Sequence, residues 1–231
     1  MNILEILTNP NVLFYIIAYF VGAIPFGAII VKVFAKKNVL EIGSKSTGAT
    51  NVYRAFADIS PKKARFFSIS TLILDACKGM FVVLAAKCVG LSYETQYTIA
   101  ILAILGHCYS PFLRFNGGKG VATAIGSVIL LIPIEGTCGL LVWAIVGKVF
   151  KVSSLSSLLG VLSGILLTFI VPNVFALPPS IDVNVQIHTH TPLVLIGLII
   201  LNTHTENIKR LIKREEKSYK DNNVVTNAIK I

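Results

Sequence analysis

Residues 97–134 read YTIAILAILGHCYSPFLRFNGGKGVATAIGSVILLIPI: an apolar run, a polar break rich in glycine, and a second apolar run. The break, Gly106 to Thr123, places Gly117, Gly118 and Gly120 around Lys119. Glycines leave backbone N–H groups free of side-chain cover, and such groups beside an ammonium make a concavity that suits an anion, phosphate above all. The same residues also read as a tight turn between two membrane segments, with the lysine at the aqueous interface. A nucleotide-binding P-loop is excluded: that motif needs glycine at 113 and serine or threonine at 120, where this chain has Leu113 and Gly120.

Working outward, the whole chain repeats this apolar–polar alternation. Of 231 residues, 54% are hydrophobic and 14% charged, far from the roughly 25% charged residues of a soluble domain. The fold expected is an all-α polytopic membrane protein. The net charge of +10 then reads as membrane topology and not as nucleic-acid binding, because the basic residues lie between and after the apolar spans. Cys77, Cys88, Cys108 and Cys138 show no C-x-x-C spacing and read as packing residues. Met1 to Pro10 has no Lys or Arg and leads into an apolar run too long for a signal-peptide core, so the first span is expected to be retained.

Seven spans are expected. Asn11 to Ala35 is the first, kinked at Pro25, and Phe66 to Ala86 the second, with Asp75 and Lys78 on one helix face as a structural ion pair. Tyr97 to Leu113 is the third. Val121 to Ile134 and Thr137 to Phe150 are shorter than the ~20 residues a bilayer core requires, and read as two thin spans or one re-entrant hairpin. Leu155 to Val171 follows, and the last span is expected to run from Leu193 to about Lys209. Between them, His188 and His190 in the loop Pro172 to Pro192 read as a solvated loop or a metal-binding pair. Alternate loops divide the cations unequally. Lys36, Lys37, Lys45, Arg54, Lys62, Lys63, Arg65, Arg114, Lys119, Lys151 and the tail fall in one set, and only Lys87 in the other. The positive-inside rule therefore puts the N-terminus outside and the C-terminus in the cytoplasm. The expected unit is one membrane domain over 1–220, with 221–231 a disordered tail.

This topology brings four polar clusters to one membrane face: Gly43 to Arg54 (GSKSTGATNVYR), Gly106 to Thr123, Ser153-Ser154, and His204 to Glu216 (HTENIKRLIKREE). Hydroxyls, cations, a histidine and an asparagine converging at one interface read either as a site for a small phosphorylated substrate or as scattered loop polarity. An alternative is a transporter of an anionic phosphorylated metabolite, although such sites usually lie at the midplane between repeats, and no repeat is evident here.

The elements G-S-x-x-x-G-A-T-N-x-x-R, G-H-x-x-P-x-F-x-x-F-x-G-G-K-G-V-A-T and H-x-x-N-I-x-R-L, in this order, resemble the bacterial acyl-phosphate-dependent glycerol-3-phosphate acyltransferases over essentially the whole chain. The resemblance implies transfer of a fatty acyl group from acyl phosphate to the sn-1 hydroxyl of glycerol 3-phosphate. The products are lysophosphatidic acid and inorganic phosphate, at the first step of membrane phospholipid synthesis in the bacterial inner membrane. It also implies a functional link to an enzyme that makes acyl phosphate, and no metal or other cofactor.

Residue by residue, the resemblance implies that Ser44 and Arg54 are essential and that His204 and Asn207 lie near the acceptor hydroxyls. Gly117, Gly118, Lys119, Gly120, Thr50, Ser153 and Ser154 would bind phosphate, and Glu216, like Asp75 and Lys78, would support structure. The chain departs from the family pattern at Lys45-Ser46, where Gly-Asn is common, and at Thr203, where Arg is common. Lys45 reads as an added phosphate contact or a solvated interfacial lysine. No H-x-x-x-x-D pair is present, and a mixed anhydride with a good leaving group needs mainly to have its partner brought close and oriented. The proton acceptor is left open between His204 and a substrate phosphate oxygen.

Overall fold

The computed structural model describes residues 5, 8–216 and 218. The tail expected over 221–231 lies outside the described residues. Within them the regular structure is helical, without strands: α1 (Pro10–Ala23), α2 (Phe26–Ile30) running into a π-helical turn (Val31–Ala35), α3 (Ala49–Ala57), α4 (Pro61–Cys88) and α5 (Tyr93–Cys108). Then come α6 (Val121–Val128), α7 (Pro133–Phe150), α8 (Ser153–Val174), α9 (Val183–Gln186), α10 (Thr191–Thr203) and α11 (Thr205–Ile212). Four helical stretches are long and apolar enough to cross a membrane: Pro10–Ala35, Pro61–Cys88, Pro133–Phe150 and Ser153–Val174.

The centre of the molecule is α5, with ten of its sixteen residues buried, the mark of a helix enclosed on all sides. It packs closely on α1, where a Cβ on Gly22 or Gly106 would strike the opposing backbone at Ala103 or Tyr19. Small residues bring α4 and α6 together in the same way: a Cβ on Gly79 would strike the Thr123 carbonyl and one on Gly126 the Ala76 backbone. Such close backbone approach is how helices associate where lipid removes the hydrophobic drive between them. Leu141, Ile145, Leu162, Leu166 and Phe169 on α7 and α8 stay exposed, an apolar outer surface that suits lipid.

The expected break at Pro25 is present, and its consequences organise the site. Proline cannot donate, so the end of α1 leaves carbonyls without helical partners. Lys78 Nζ donates to the Ile24 carbonyl at 2.8 Å, and Ser110 Oγ donates to the Ala23 carbonyl at 2.7 Å. One broken helix thereby fixes α4 and the chain just after α5. Lys78 also meets Asp75 at 2.8 Å as expected, with both side chains almost fully buried.

Several boundaries differ from expectation. The second span begins earlier, so Lys62, Lys63 and Arg65 lie in the first turns of α4. The segment 121–134 is helical only as far as Val128; α6 has eight residues, about 12 Å of rise, and Pro133 opens α7. The last helix stops at Thr203 and does not continue to Lys209. There Thr203 Oγ1 donates to the Ile200 carbonyl at 2.9 Å and His204 Nδ1 takes the same carbonyl at 2.8 Å. Side chains compete with the helix ladder for its acceptors, and α11 leaves with the charges Glu206, Lys209 and Arg210. In the loop after α8, the His190 ring stacks on Phe169 at 4.0 Å. Of the cysteines, Cys108 is buried, Cys138 half-buried, and Cys77 and Cys88 exposed, so packing accounts for only part of the set.

Candidate active site

Arg114 and Phe115 take left-handed backbone conformations and fold the chain after α5 back on its own end. Gly117 N–H then donates to the Cys108 carbonyl at 3.0 Å and Gly118 N–H to the His107 carbonyl at 2.9 Å. A Cβ on Gly118 would overlap the His107 ring, so only glycine fits. These two glycines shape the loop, and the expectation that their amides stand free for an anion is corrected: both amides are spent on closing it. Gly120, at φ 83°, turns the chain into α6 and puts Lys119 and itself on a cavity of about 690 Å³.

Four separate stretches meet around that cavity. Thr47 N–H reaches the Gly117 carbonyl at 3.4 Å, and the Thr203 hydroxyl hydrogen is shared between the Ile200 carbonyl and, at 3.1 Å, the Lys119 carbonyl. Lys119 Nζ donates to Asn207 Oδ1 at 2.6 Å, and Asn207 Nδ2 to Glu216 Oε1 at 2.5 Å. Glu216 also accepts from Ser154 Oγ at 2.8 Å and from Arg210 Nε at 2.6 Å. On the other side Thr50 Oγ1 donates to Ser153 Oγ at 2.9 Å. Ser44, Thr50, Arg54, Lys119, Gly120, Ser153, Ser154, His204, Asn207 and Glu216 all line the cavity. Asp75 lines it as well, from α4, while Gly117 and Gly118 stand behind Lys119.

The first loop is held by a residue that sequence reasoning passed over. Asn51, buried on α3, accepts from Ser44 N–H at 3.2 Å and from Arg54 at 3.1 Å. It donates to the Ile42 and Ser46 carbonyls, each at 2.8 Å. Its spacing of three from Arg54 on a helix was the available signal. Lys45 supplies the left-handed position, φ 53°, where the family pattern has glycine. Its side chain is exposed and does not line the cavity, which favours the solvated interfacial lysine over a phosphate contact. His107 was also missed: its Nδ1 lies 3.6 Å from Asp75 Oδ1, beneath the glycine loop.

Three carboxylates line the cavity, but Asp75 is paired with Lys78 at 2.8 Å and Asp58 lies 4.0 Å from Lys37, so around Lys119 the cations Arg54, Lys119 and Arg210 outnumber the one remaining carboxylate, Glu216, and that end is cationic. Burial, with Arg210 and Arg54 nearby, pulls the Lys119 ammonium down to about 8 although Glu216 opposes the shift. Burial would raise the Glu216 carboxyl, but the hydrogen bonds from Arg210, Asn207 and Ser154 hold it below its ordinary value. His204 is pushed down to about 4, by burial first and then by Lys119. Its Nδ1 faces a carbonyl, which only accepts, so the ring is neutral with the proton on Nδ1 and a lone pair on Nε2. The opposite wall, with Leu72, Ile73, Ile125, Leu140 and Trp143, is apolar. A cationic pocket opening onto an apolar wall takes an amphiphile with an anionic head.

Residues 12–214 match the family model described as glycerol-3-phosphate acyltransferase. This chain belongs to the glycerol-3-phosphate acyltransferase family. A glycerol-3-phosphate acyltransferase of Helicobacter hepaticus is 62% identical over 93% of this chain and 96% of its own length. One from Wolinella succinogenes is 46% identical over 92% of this chain and 98% of its own. Among solved structures, PlsY, an integral membrane glycerol 3-phosphate acyltransferase, in its glycerol 3-phosphate form superposes with a TM-score of 0.74 at 28% identity. That match covers 91% of this chain and 96% of PlsY. Its lysophosphatidic acid form gives 0.70 at 29% identity, over 91% and 95%. The chain is thus an acyltransferase of the membrane.

Proposed function

We propose that this chain transfers a fatty acyl group from acyl phosphate to the sn-1 hydroxyl of glycerol 3-phosphate, giving lysophosphatidic acid and inorganic phosphate. The observation that carries the proposal is one cavity that joins Arg54, Lys119 and Arg210 to the apolar wall at Leu72, Ile125 and Trp143. Lys119, steadied by Asn207, takes the acceptor's phosphate. Ser44, Arg54 and the hydroxyls of Thr50, Ser153 and Ser154 take the donor's phosphate, and the acyl chain lies along the apolar wall. The glycerol oxygen attacks the carbonyl carbon, the bond from that carbon to the phosphate oxygen breaks, and the hydroxyl proton passes to phosphate. A neutral His204 held near 4 is too weak a base to take that proton at neutral pH. Its Nε2 instead accepts a hydrogen bond from the acceptor hydroxyl and aims it. Bringing both substrates together and neutralising the leaving phosphate supplies the acceleration.

The site lies at the cytoplasmic face of the bacterial inner membrane, and the seven apolar segments give an N-terminus outside and a C-terminus inside. The distribution of Lys and Arg supports this arrangement. Single cysteines placed at 119 and 153 in a cysteine-free background are labelled from the cytoplasm; labelling of 119 from the outside alone contradicts the topology. Acyl phosphate comes from a separate acyl-transferring enzyme, and the product enters phospholipid synthesis. The direct test is purified protein with glycerol 3-phosphate and palmitoyl phosphate: lysophosphatidate and inorganic phosphate form in equal amounts. No product, with uptake of glycerol 3-phosphate into vesicles, supports a transporter instead.

A further inference from the structure

Beside the large cavity runs a narrow crevice of about 60 Å³ between α6, α7, α8 and α10. The two share Val121, Ile125, Trp143 and Ser157 in their linings, so the crevice abuts the cavity at these side chains. From Trp143 the crevice follows α7 to Glu135, eight residues or roughly 12 Å along the helix. Val161, Ile165 and Ile196 wall it, and Gly164, where a Cβ would meet only ordinary contacts, leaves space beside it, while Gly139 lets α7 approach the Gly160 carbonyl of α8 closely.

Glu135 stands where this apolar path ends. The residue is completely buried, and neither of its carboxyl oxygens finds a hydrogen-bond partner among the described residues. The neighbouring polar groups are engaged with one another: Tyr97 donates to Gln186 at 2.7 Å, and Gln186 donates to the Leu131 and Ser180 carbonyls. A buried polar group without a partner is costly, and the other polar side chains of the crevice, Ser157 and Thr168, are both engaged with carbonyls, so Glu135 alone needs an account.

We propose that Glu135 is the stop that sets the length of acyl chain the enzyme accepts, a proposal that rests on the acyl-transfer function above. The side chains of Ile125 and Trp143 part to admit the methyl end of the chain from the large cavity, the crevice widens around it, and the chain ends against the carboxyl. Lipid tails are as apolar as the crevice, so a chain gains little merely by leaving the bilayer. Selection comes from what a longer chain meets. Glu135 is a bulky side chain in a close-packed place, and its oxygens offer an alkyl group nothing.

The test uses the full-length protein in detergent with saturating glycerol 3-phosphate and lauroyl, myristoyl, palmitoyl or stearoyl phosphate. Glu135→Ala opens the stop and raises the ratio of kcat/KM for stearoyl over lauroyl phosphate roughly tenfold. Glu135→Asp keeps the carboxyl, shortens it by one methylene, and moves the ratio in the same direction by less. Gly164→Leu fills the crevice from α8 and lowers the ratio. A Cβ at that position meets the Glu135 carbonyl oxygen at an ordinary 3.6 Å, so this variant carries the test even where Glu135→Ala fails to fold. Opposite shifts are beyond a merely structural role. A ratio unmoved by Glu135→Asp and Gly164→Leu, with lauroyl turnover intact, overturns the stop and leaves acyl transfer standing. No lysophosphatidate from the unaltered protein with any donor overturns acyl transfer itself.

Discussion

Lys119 and Asn207, 88 positions apart in the chain, meet at 2.6 Å with the ammonium donating to the side-chain amide oxygen. Asn207 in turn donates to Glu216 at 2.5 Å, so the lysine is aimed by a residue that is itself held. Lys119→Ala removes a charge-assisted bond of about 1.5–3 kcal/mol to the acceptor's phosphate, and the acceptor's KM rises roughly 10- to 100-fold. The donor's KM changes much less. Asn207→Ala leaves the charge but loses its aim, and gives a smaller rise in the same constant. Initial rates over a grid of both substrates separate these effects. An unchanged acceptor KM in a folded Lys119→Ala protein makes the loop a turn and nothing more.

The Lys119 ammonium, drawn down to about 8, titrates within the working range. The protonated form is the one that binds phosphate, so binding is strong below pH 8 and fades as pH rises through it. Between pH 7 and pH 9 the acceptor's KM for the free enzyme rises roughly tenfold. Lys119→Arg removes this alkaline limb, because guanidinium stays charged throughout. Steady-state kinetics across that range, for both proteins, checks the assignment. A limb that persists in Lys119→Arg assigns it to another group.

Glu216 ties three residues of the cavity together, and it is the charge that holds the Lys119 proton in place. Glu216→Gln keeps acceptors for Ser154 and Asn207 but leaves Arg210 without its carboxylate, and destabilises the protein by about 1–3 kcal/mol. The Lys119 limb moves to lower pH. Thermal unfolding in detergent reads the first effect, and the pH profile of the acceptor's KM reads the second. A destabilised protein with an unmoved limb breaks the link between Glu216 and Lys119.

The parts legible in the sequence were those written in local pattern. The Pro25 break follows from proline chemistry, and Asp75 with Lys78 from helical spacing and the cost of an unpaired ion in an apolar segment. Motif order brought Lys119, Asn207 and Ser154 to one place. What escaped was set by distant partners. Nothing local in Gly117-Gly118 says that their amides are used by the end of α5, since that depends on Arg114 and Phe115 folding the chain back. The end of α10 at Thr203 was hidden in the same way, because apolar length suggested continuing to Lys209 while side chains capture the Ile200 carbonyl. Asn51, His107, Arg210 and Glu135 look like ordinary polar residues until their neighbours are known. The left-handed Lys45 shows the converse: a non-glycine residue holds this position at a cost of roughly 1–2 kcal/mol, which nothing local in Lys45-Ser46 announces.

Donor choice tests the central claim most directly. The cavity offers cations and hydroxyls for two phosphates, and His204, its basicity depressed to about 4, cannot drive attack on a thioester at neutral pH. The measurement is lysophosphatidate formation by purified protein from palmitoyl phosphate, palmitoyl-CoA and palmitoyl acyl carrier protein, with the same acceptor in each. The account predicts rapid product from palmitoyl phosphate and little or none from either thioester; comparable turnover with palmitoyl-CoA would contradict it.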